Sequence, residues 1–423
     1  MKTYTEKESI GNVTFTRIAP LSPEIVRFAL TARIPREHTV NESTLALYEL
    51  LLLTGTIHFT KERLEEYLKE NGIELAVSSG IRTITITGSV RRSKVSALTK
   101  LLSELLFSPR VLQNEFTLKR TLALEKNREE HDNARRIAHT AFMHALYPNE
   151  PRMLPQTLTK ERNELMKITS EKVRAFEKIL PECVWYLSVV GDRTVVPEFH
   201  RLSKLLARSA TRNVFEPLVG EPSKGGALYS PVKGKTNIEV FLGNICDIRN
   251  DDPDFIPLDF GIDVLGKVGG FSGRLMSTVR EKEGLTYGIY AHTANHQRGN
   301  RFHFVIRTFF MAKDYERGIA STRRELKKIV SEGITHGELT TFKEILQNGE
   351  LLAHESNETR LNLYHGLTTL GYTEALRKTE LERMRSLTVK EVNAALRANI
   401  DPESLVISAA GPVSKEGTPL IPH

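Results

Sequence analysis

A glycine pair in the second half of the chain stands where a phosphate-binding loop could begin. Gly269 and Gly270 are followed by Phe-Ser-Gly-Arg. A phosphate loop needs Gly-Lys-Ser or Gly-Lys-Thr, and a dinucleotide site needs the spacing G-x-G-x-x-G, because backbone N–H groups must surround the phosphates. Neither pattern follows the pair. These glycines therefore do not predict a nucleotide site.

The histidines are the other residues whose spacing could support metal binding. His292 and His296 lie four positions apart, but the Asn, Gln and Gly residues around them indicate a loop or hairpin, not a helix that would stack the rings. His139 and His144 lie five apart on different helix faces, and His131 is followed only by a lone aspartate. None of these groups supplies the three or four converging ligands of a zinc site. We predict no metal site from them.

Composition excludes further classes of function. Cys183 and Cys246 are the only cysteines, too few for a disulfide framework or a cysteine zinc site. The net charge of +7 comes from basic residues interleaved with acidic ones, which is typical of solvated helix faces and predicts no nucleic-acid partner. The longest apolar run, Leu45 to Leu53, is interrupted by Glu49 and is shorter than the ~20 residues that cross a bilayer, and the N-terminus has no signal-like apolar segment. We expect a cytoplasmic protein with no membrane partner.

The helices and strands that would position any site are predicted in the same order in both halves of the chain. Alternating apolar and polar residues predict strands at 82–90 and 302–310, each preceded and followed by helical patterns. Each half then finishes with a helix, a turn and a strand that ends at glycine, and these last strands lie at 184–190 and 405–408. A duplicated α+β unit accounts for this order, and a chance similarity of the two halves stays the alternative.

Residues 196–236 differ in composition from the segments on either side. They contain four prolines and four glycines, which favour turns over helices and strands. At 423 residues the chain also suits two domains of about 200 residues each. We therefore predict an N-terminal lobe over residues 1–195, a linker over 196–236 and a C-terminal lobe over 237–423.

The most specific pattern reads GGFSGRL at residues 269–275 and VREKEGLTY at residues 279–287. It resembles the GGFSSRL…REKxGLAY stretch in the C-terminal lobe of the pitrilysin/insulinase family of zinc peptidases, the inverzincins, whose zinc motif is H-x-x-E-H. The resemblance implies an α+β fold with two homologous lobes. Each lobe would be an antiparallel-rich sheet packed against helices, and the pair would form a clam-shell.

The same resemblance locates the zinc motif on the first helix of the N-terminal lobe. Gly55-Thr56 and the stretch Gly72-Ile73-Glu74-Leu75 align with the family segments that follow the motif. The H-x-x-E-H positions then fall on Ala46 to Leu50, so that Ala46 and Leu50 replace the two histidines and only Glu49 is retained. Hydrocarbon side chains offer no lone pair to a metal. The aligned Glu49 is either a structurally hydrogen-bonded residue or one with a residual function.

The third zinc ligand of the family is a glutamate on a later helix. Aligned spacing puts Lys126 at this position, with Glu125 and Glu129 close enough to shift the assignment by a residue. A lysine ammonium repels a dication, and neither glutamate would restore a site that lacks both imidazoles. The resemblance therefore implies no metal and no cofactor in this chain, and zinc in a partner subunit.

Arg280 and Tyr287 match a pair that the family's C-terminal lobe uses near the scissile bond. An arginine and a phenol can donate hydrogen bonds to the oxyanion of a tetrahedral intermediate. Their alternative interpretation is structural, with Arg280 on a charged helix and Tyr287 in a packed strand. Some relatives divide the work between a zinc-bearing chain and a chain with a degenerate motif. This sequence resembles the second kind, which implies a heterodimer acting on peptides.

A catalytically inert peptide-binding or structural scaffold of the same fold is the second hypothesis. The family binds extended peptides by adding a strand to a sheet edge, and Arg82 to Val90 with its neighbours are candidates for that sheet. The family's Leu-Asn-Ala becomes Leu75-Ala76-Val77 here, so one substrate-orienting amide is missing. A third hypothesis is an autonomous peptidase whose catalytic residues lie elsewhere in this chain. It would require a tightly bound metal in the purified chain.

Overall fold

Contacts divide the chain into two compact units that do not follow chain order. The computed structural model describes residues 4–35, 37–38, 40–150, 154–207, 220–266 and 273–420. Unit 1 comprises residues 1–128, 158–215 and 351–374, and unit 2 comprises residues 129–157, 216–350 and 375–423. Both compact units therefore contain residues from both of the lobes predicted along the chain.

Unit 1 is built on a six-stranded mixed sheet. Its strands are β1 (Thr5–Ile10), β2 (Val13–Ile18), β3 (Ile25–Arg33), β4 (Glu74–Ser79), β5 (Thr83–Arg91) and β6 (Val184–Val190). Their order is β1-β2-β6-β3-β5-β4, and every neighbouring pair is antiparallel except β2 and β6. The edge strands are thus β1 and β4.

Unit 2 contains a five-stranded sheet. Its strands are β7 (Gly226–Pro231), β8 (Asn237–Arg249), β9 (Ile289–Ala294), β10 (Arg301–Met311) and β11 (Val406–Gly411). Their order is β7-β11-β8-β10-β9, and only β7 and β11 are parallel. This order and these directions match β2-β6-β3-β5-β4 of unit 1 strand for strand, so the repeated order predicted from the sequence is present in both sheets.

Helices connect the strands in the same repeated sequence. They are α1 (Glu42–Leu52), α2 (Lys61–Asn71), α3 (Val95–Phe107), α4 (Gln113–Glu129), α5 (Ala134–Leu146), α6 (Leu158–Lys167), α7 (Ser170–Glu177), α8 (Val196–Leu206), α9 (Phe255–Gly266), α10 (Tyr315–Glu332), α11 (His336–Leu352), α12 (Asn357–Thr369), α13 (Glu374–Ser386) and α14 (Val389–Asn399). A π-helix, Met276–Lys282, lies between α9 and β9. Among the described residues, no helix combines the length and the apolar character needed to span a membrane.

The last strand of each half is buried on both faces. All seven residues of β6 and all six of β11 are buried, which explains their nearly continuous apolar sequences. On one face of β6 pack α1, α3, α7 and α8. Its other face is covered by α12, through Leu361 and Tyr364. In unit 2, α9 and α14 cover one face and α5 covers the other, through Phe142 and Leu146.

Helices α5 and α12 each pack in the unit that is built mostly from the other half of the chain. Helix α5 belongs to the first half of the sequence but packs in unit 2, whereas α12 belongs to the second half and packs in unit 1. Polar contacts fix α12 on its sheet. Arg360 donates to the carbonyl oxygen of Ala19 at 3.0 Å, and His365 bonds the hydroxyls of Thr31 and Ser188.

The structure confirms the predicted α+β class, with mixed sheets whose pairs are mostly antiparallel. Residues 196–236, predicted as a linker, contain helix α8 and strand β7. Cys183 and Cys246 are buried free thiols, and burial raises the pKa of each to about 12.

Candidate functional site

Helix α1 carries Ala46, Glu49 and Leu50, the residues that the sequence resemblance matched to a zinc motif. The helix begins because the Asn41 side chain accepts a hydrogen bond from the backbone N–H of Thr44 at 2.7 Å. Its core face, with Leu45 and Tyr48 among others, packs against the sheet. On the remaining surface Ala46 is half-buried and Leu50 is 38% exposed. Neither side chain has an atom that could bind a metal ion.

Glu49 lies on the same helix and makes two hydrogen bonds to the end of strand β4. Its Oε2 accepts from the backbone N–H of Ser79 at 2.8 Å and from the Ser79 hydroxyl at 2.6 Å. Charge-assisted hydrogen bonds of this length are stronger than neutral ones, so they hold the carboxylate against the strand. This contact is an observed structural role for Glu49, whereas a chemical role stays a prediction.

Lys126 lies on α4 and is exposed. Asn127, the next residue of α4, sets the orientation of the helix about its own axis. Its side chain is buried and donates to the carbonyl oxygen of Leu158 at 3.1 Å and to Glu161 at 3.0 Å. With Asn127 directed inward, Lys126 faces away from the core. Within the described part of the chain, no three His, Cys, Asp or Glu residues come together as a metal-binding group.

Arg280 belongs to the π-helix Met276–Lys282, in which the backbone turn is wider than in an α-helix. The N–H of Glu283 donates to the carbonyl oxygen of Thr278 at 3.0 Å, five residues earlier. Single π-turns of this kind are frequent at functional sites. Val279 is buried while Arg280 is half-buried, so the segment is anchored on one side and partly open on the other.

An ion pair anchors the start of this segment. Arg274 donates to both carboxylate oxygens of Glu338, at 2.5 and 2.7 Å, and also to the carbonyl oxygen of Gly333 at 2.8 Å. Hydrogen bonding to Glu338 raises the pKa of Arg274. Because Glu338 lies in the first turn of α11, the pair connects the entrance of the π-helix to the N-terminus of α11.

Tyr287 follows the π-helix and is 83% exposed. It lies in a short turn before β9, so the interpretation of Tyr287 as part of a packed strand is wrong. Hydrogen bonds hold Thr286 and Gly288, the residues on either side of Tyr287. The Thr286 hydroxyl accepts from the N–H of Gly288 at 3.2 Å, and the Thr308 hydroxyl donates to the carbonyl oxygen of Gly288 at 3.1 Å. Since both threonines are buried, the turn presents Tyr287 from a fixed backbone.

Part of the glycine-containing pattern of the second half is not described by the structure. Gly269, Gly270, Phe271 and Ser272 of the second-half pattern lie outside the described residues. Sequence reasoning missed three features: the partner Ser79, the π-helical turn, and the threonines around Tyr287. Residues 74–79, ELAVSS, carry a weak strand signal, since Leu75 and Val77 lie two positions apart. A strand predicted there would have ended at Ser79, the residue that bonds Glu49.

Comparisons with known proteins agree with this architecture. Residues 187–346 match the family model described as the peptidase M16 inactive domain. The chain is 23% identical over 371 residues to the non-peptidase homolog YmxG of Helicobacter pylori, an alignment that covers 88% of this chain and 84% of the relative. Over residues 187–346 the chain is therefore similar to the peptidase M16 inactive domain, and over most of its length it is similar to a non-peptidase homolog.

Solved structures show the same fold at low sequence identity. The peptidase M16 inactive domain from Pseudomonas fluorescens aligns with a TM-score of 0.83 and 19% identity, over 97% of this chain and 98% of that one. A protease from Helicobacter pylori aligns with a TM-score of 0.78 and 17% identity, over 96% and 99% of the two chains. At these identities the likeness shows the fold and leaves the activity to be argued from the residues.

Proposed function

We propose that this chain is the non-catalytic subunit of a heterodimeric zinc peptidase. It supplies Arg280 and Tyr287 to a peptide held at the zinc site of a homologous partner chain, and it binds no cofactor itself. The observation that carries the proposal is the presentation of Tyr287, an aromatic ring 83% exposed on a turn fixed by two buried threonines. An exposed aromatic ring on a rigid backbone loses little conformational freedom when it binds a partner.

The chemistry suits the two side chains. In zinc-dependent peptide hydrolysis the metal activates a water molecule, and negative charge develops on the carbonyl oxygen that the water attacks. A guanidinium offers N–H donors and a phenol offers an O–H donor, so Arg280 and Tyr287 are side chains of the kind that can donate hydrogen bonds to that oxygen. Placing such donors before the reaction lowers the barrier, and the loss of one can cost up to about a hundredfold in rate when a second donor remains.

The positions that would hold zinc in this chain argue against independent catalysis. Catalytic zinc requires three protein ligands with lone pairs and an open fourth position. Ala46 and Leu50 present hydrocarbon, and Lys126 presents an exposed ammonium. Glu49 is the exception, but its Oε2 already accepts two hydrogen bonds from Ser79. A general base also needs an activated water, which these positions do not provide.

The edge of the unit 1 sheet gives the chain a means of holding peptides. β4 is the last strand of its sheet, next to β5, so an extended peptide can add as a further strand. The stretch Leu75-Ala76-Val77 lies within β4 and offers no side-chain amide. Recognition there would rest on backbone hydrogen bonds, which select for extended shape more than for sequence.

The decisive experiment adds this chain to a purified homologue that carries an intact H-x-x-E-H motif and measures cleavage of a fluorogenic peptide. We expect the mixture to be more active than the partner alone. Arg280→Ala should lower the kcat/KM of the mixture by about tenfold to a hundredfold, and Tyr287→Ala should lower it similarly.

Matched controls separate this effect from general loss of structure. Arg317→Ala removes an exposed arginine elsewhere in unit 2, and Met311→Ala removes another exposed large side chain of the same unit. Both control mixtures should retain wild-type activity. If the partner alone is fully active and the wild-type chain adds nothing, the heterodimer proposal is wrong, and the inert scaffold becomes the better account.

A further inference from the structure

The free edge of β4 has a definite set of outward-directed backbone groups. The hairpin between β4 and β5 closes with a hydrogen bond from the N–H of Gly80 to the carbonyl oxygen of Thr83, at 2.9 Å. In an antiparallel pair, residues alternate between bonding the neighbouring strand and pointing away from it. Counting back from Gly80 along the observed register, Leu75, Val77 and Ser79 direct their N–H and C=O groups to the free edge.

One of these three positions is already occupied. The outward N–H of Ser79 donates to Glu49 Oε2, and the Ser79 hydroxyl donates to the same oxygen. The carboxylate oxygen therefore lies where the carbonyl oxygen of an added strand would lie.

We infer that Glu49 ends the peptide-docking edge of β4 at Ser79, so that a bound peptide pairs only with the outward groups of Leu75 and Val77. This inference rests on the peptide binding proposed above and assigns Glu49 a specificity role that needs no metal. A peptide that extended past Val77 would bring its carbonyl oxygen against the side-chain oxygen of Glu49, and the Ser79 N–H could bond the peptide only if Glu49 moved away.

Unit 2 contains a related contact that serves as an internal control. The hydroxyl of Thr293, on the edge strand β9, donates to Asp259 on α9, but no backbone N–H of β9 is among the bonds described for Asp259. Asp259→Ala therefore removes a helix-to-edge carboxylate without exposing a backbone donor on β4. It should leave peptide binding at β4 unchanged.

The test compares wild type, Glu49→Ala, Glu49→Gln and Asp259→Ala as full-length chains. The probe is a synthetic extended peptide of alternating valine and threonine with lysine at both ends, labelled with a fluorophore for anisotropy. Glu49→Ala should bind it about fivefold more tightly, because one further backbone hydrogen bond becomes available to the peptide. Glu49→Gln keeps an oxygen acceptor for the Ser79 N–H and should bind like wild type.

Hydrogen exchange with fragment-resolved mass spectrometry locates the effect. In the free protein, Glu49→Ala should speed exchange of the Ser79 amide by about tenfold, because that amide loses its acceptor. Added peptide should then slow exchange at Leu75 and Val77 in wild type, and at Leu75, Val77 and Ser79 in Glu49→Ala. Equal thermal midpoints of the variants would show that the fold is retained.

Two results would overturn the inference. The first is a peptide footprint that already includes Ser79 in wild type, or that still stops at Val77 in Glu49→Ala with unchanged affinity. The second is no protection of β4 by the peptide in any variant. Neither result bears on the stimulation of a partner peptidase through Arg280 and Tyr287, because that is measured in a separate activity assay.

Discussion

His365 offers a quantitative test of how α12 is held in unit 1. Its Nε2 lies 2.8 Å from the Thr31 hydroxyl and its Nδ1 lies 2.9 Å from the Ser188 hydroxyl. Both hydroxyls are buried, and neither can compensate a positive charge on the ring as a carboxylate would. Burial therefore lowers the pKa of His365 from 6.5 to about 4.

The sign and size of the pH effect follow from this shift. The folded-state pKa is below the unfolded one, so the unfolded chain binds a proton first as the pH falls. The contribution of His365 to stability is complete above pH 6.5 and is lost progressively between pH 6.5 and pH 4. Each pH unit in that window costs about 1.4 kcal/mol, so moving from about pH 7.5 to about pH 5 should remove about 2 kcal/mol.

Tryptophan fluorescence can follow the unfolding of unit 1 alone. Trp185 is the only tryptophan in the chain, lies in β6 of unit 1 and is 2% exposed. Urea unfolding followed by its fluorescence at both pH values gives the free energy of unfolding of this unit. In His365→Gln the side chain no longer titrates, so the loss between the two pH values should shrink by about 2 kcal/mol relative to wild type.

A matched substitution at an exposed histidine of unit 2, His336→Gln, should leave the pH dependence of the tryptophan transition unchanged. The reasoning is refuted if His365→Gln loses as much stability on acidification as wild type. An NMR titration of the His365 ring that shows protonation near pH 6.5 in the folded protein would refute it equally.

Two further predictions concern unit 2. Tyr147→Phe removes the hydroxyl that bonds Nδ1 of the buried His303 at 2.8 Å, and it should lower the free energy of unfolding by about 1–3 kcal/mol in calorimetry, whereas an unchanged thermal midpoint would contradict the contact. Arg274→Met removes the ion pair with Glu338 and should speed hydrogen exchange across the π-helix without changing exchange in unit 1, so protection equal to wild type would show that the pair does not anchor the segment.

The elements that the sequence predicts well are those with local signals at both ends. Helix α1 begins at the cap of Asn41, and α2 ends at Gly72, whose φ of 58° is the left-handed conformation that glycine adopts without strain. The alternating pattern of 82–90 became β5, shifted by one residue. Strand β4 was not predicted, because its small and polar residues form only a weak strand signal.

The exchange of α5 and α12 could not be predicted from the sequence. An amphipathic pattern shows that a helix has an apolar face, but it does not show which sheet covers that face. Phe142 and Leu361 are equally apolar, and only the chain path places the first in unit 2 and the second in unit 1. The same limit applies to Tyr287, since a tyrosine beside a strand is compatible with burial or with exposure until its neighbours are known.

The two halves together give Glu49 a structural role that requires no metal ion. In each half a carboxylate on the helix that directly follows β3 or β8 bonds a hydroxyl near the end of the edge strand: Glu49 on α1 with Ser79, and Asp259 on α9 with Thr293. A contact that recurs in both halves is better explained by the fold than by catalysis. What distinguishes Glu49 is the additional hydrogen bond from the outward backbone N–H of Ser79. That bond lies on the free edge of β4, so the acceptor oxygen at position 49 has a role that depends on strand pairing alone.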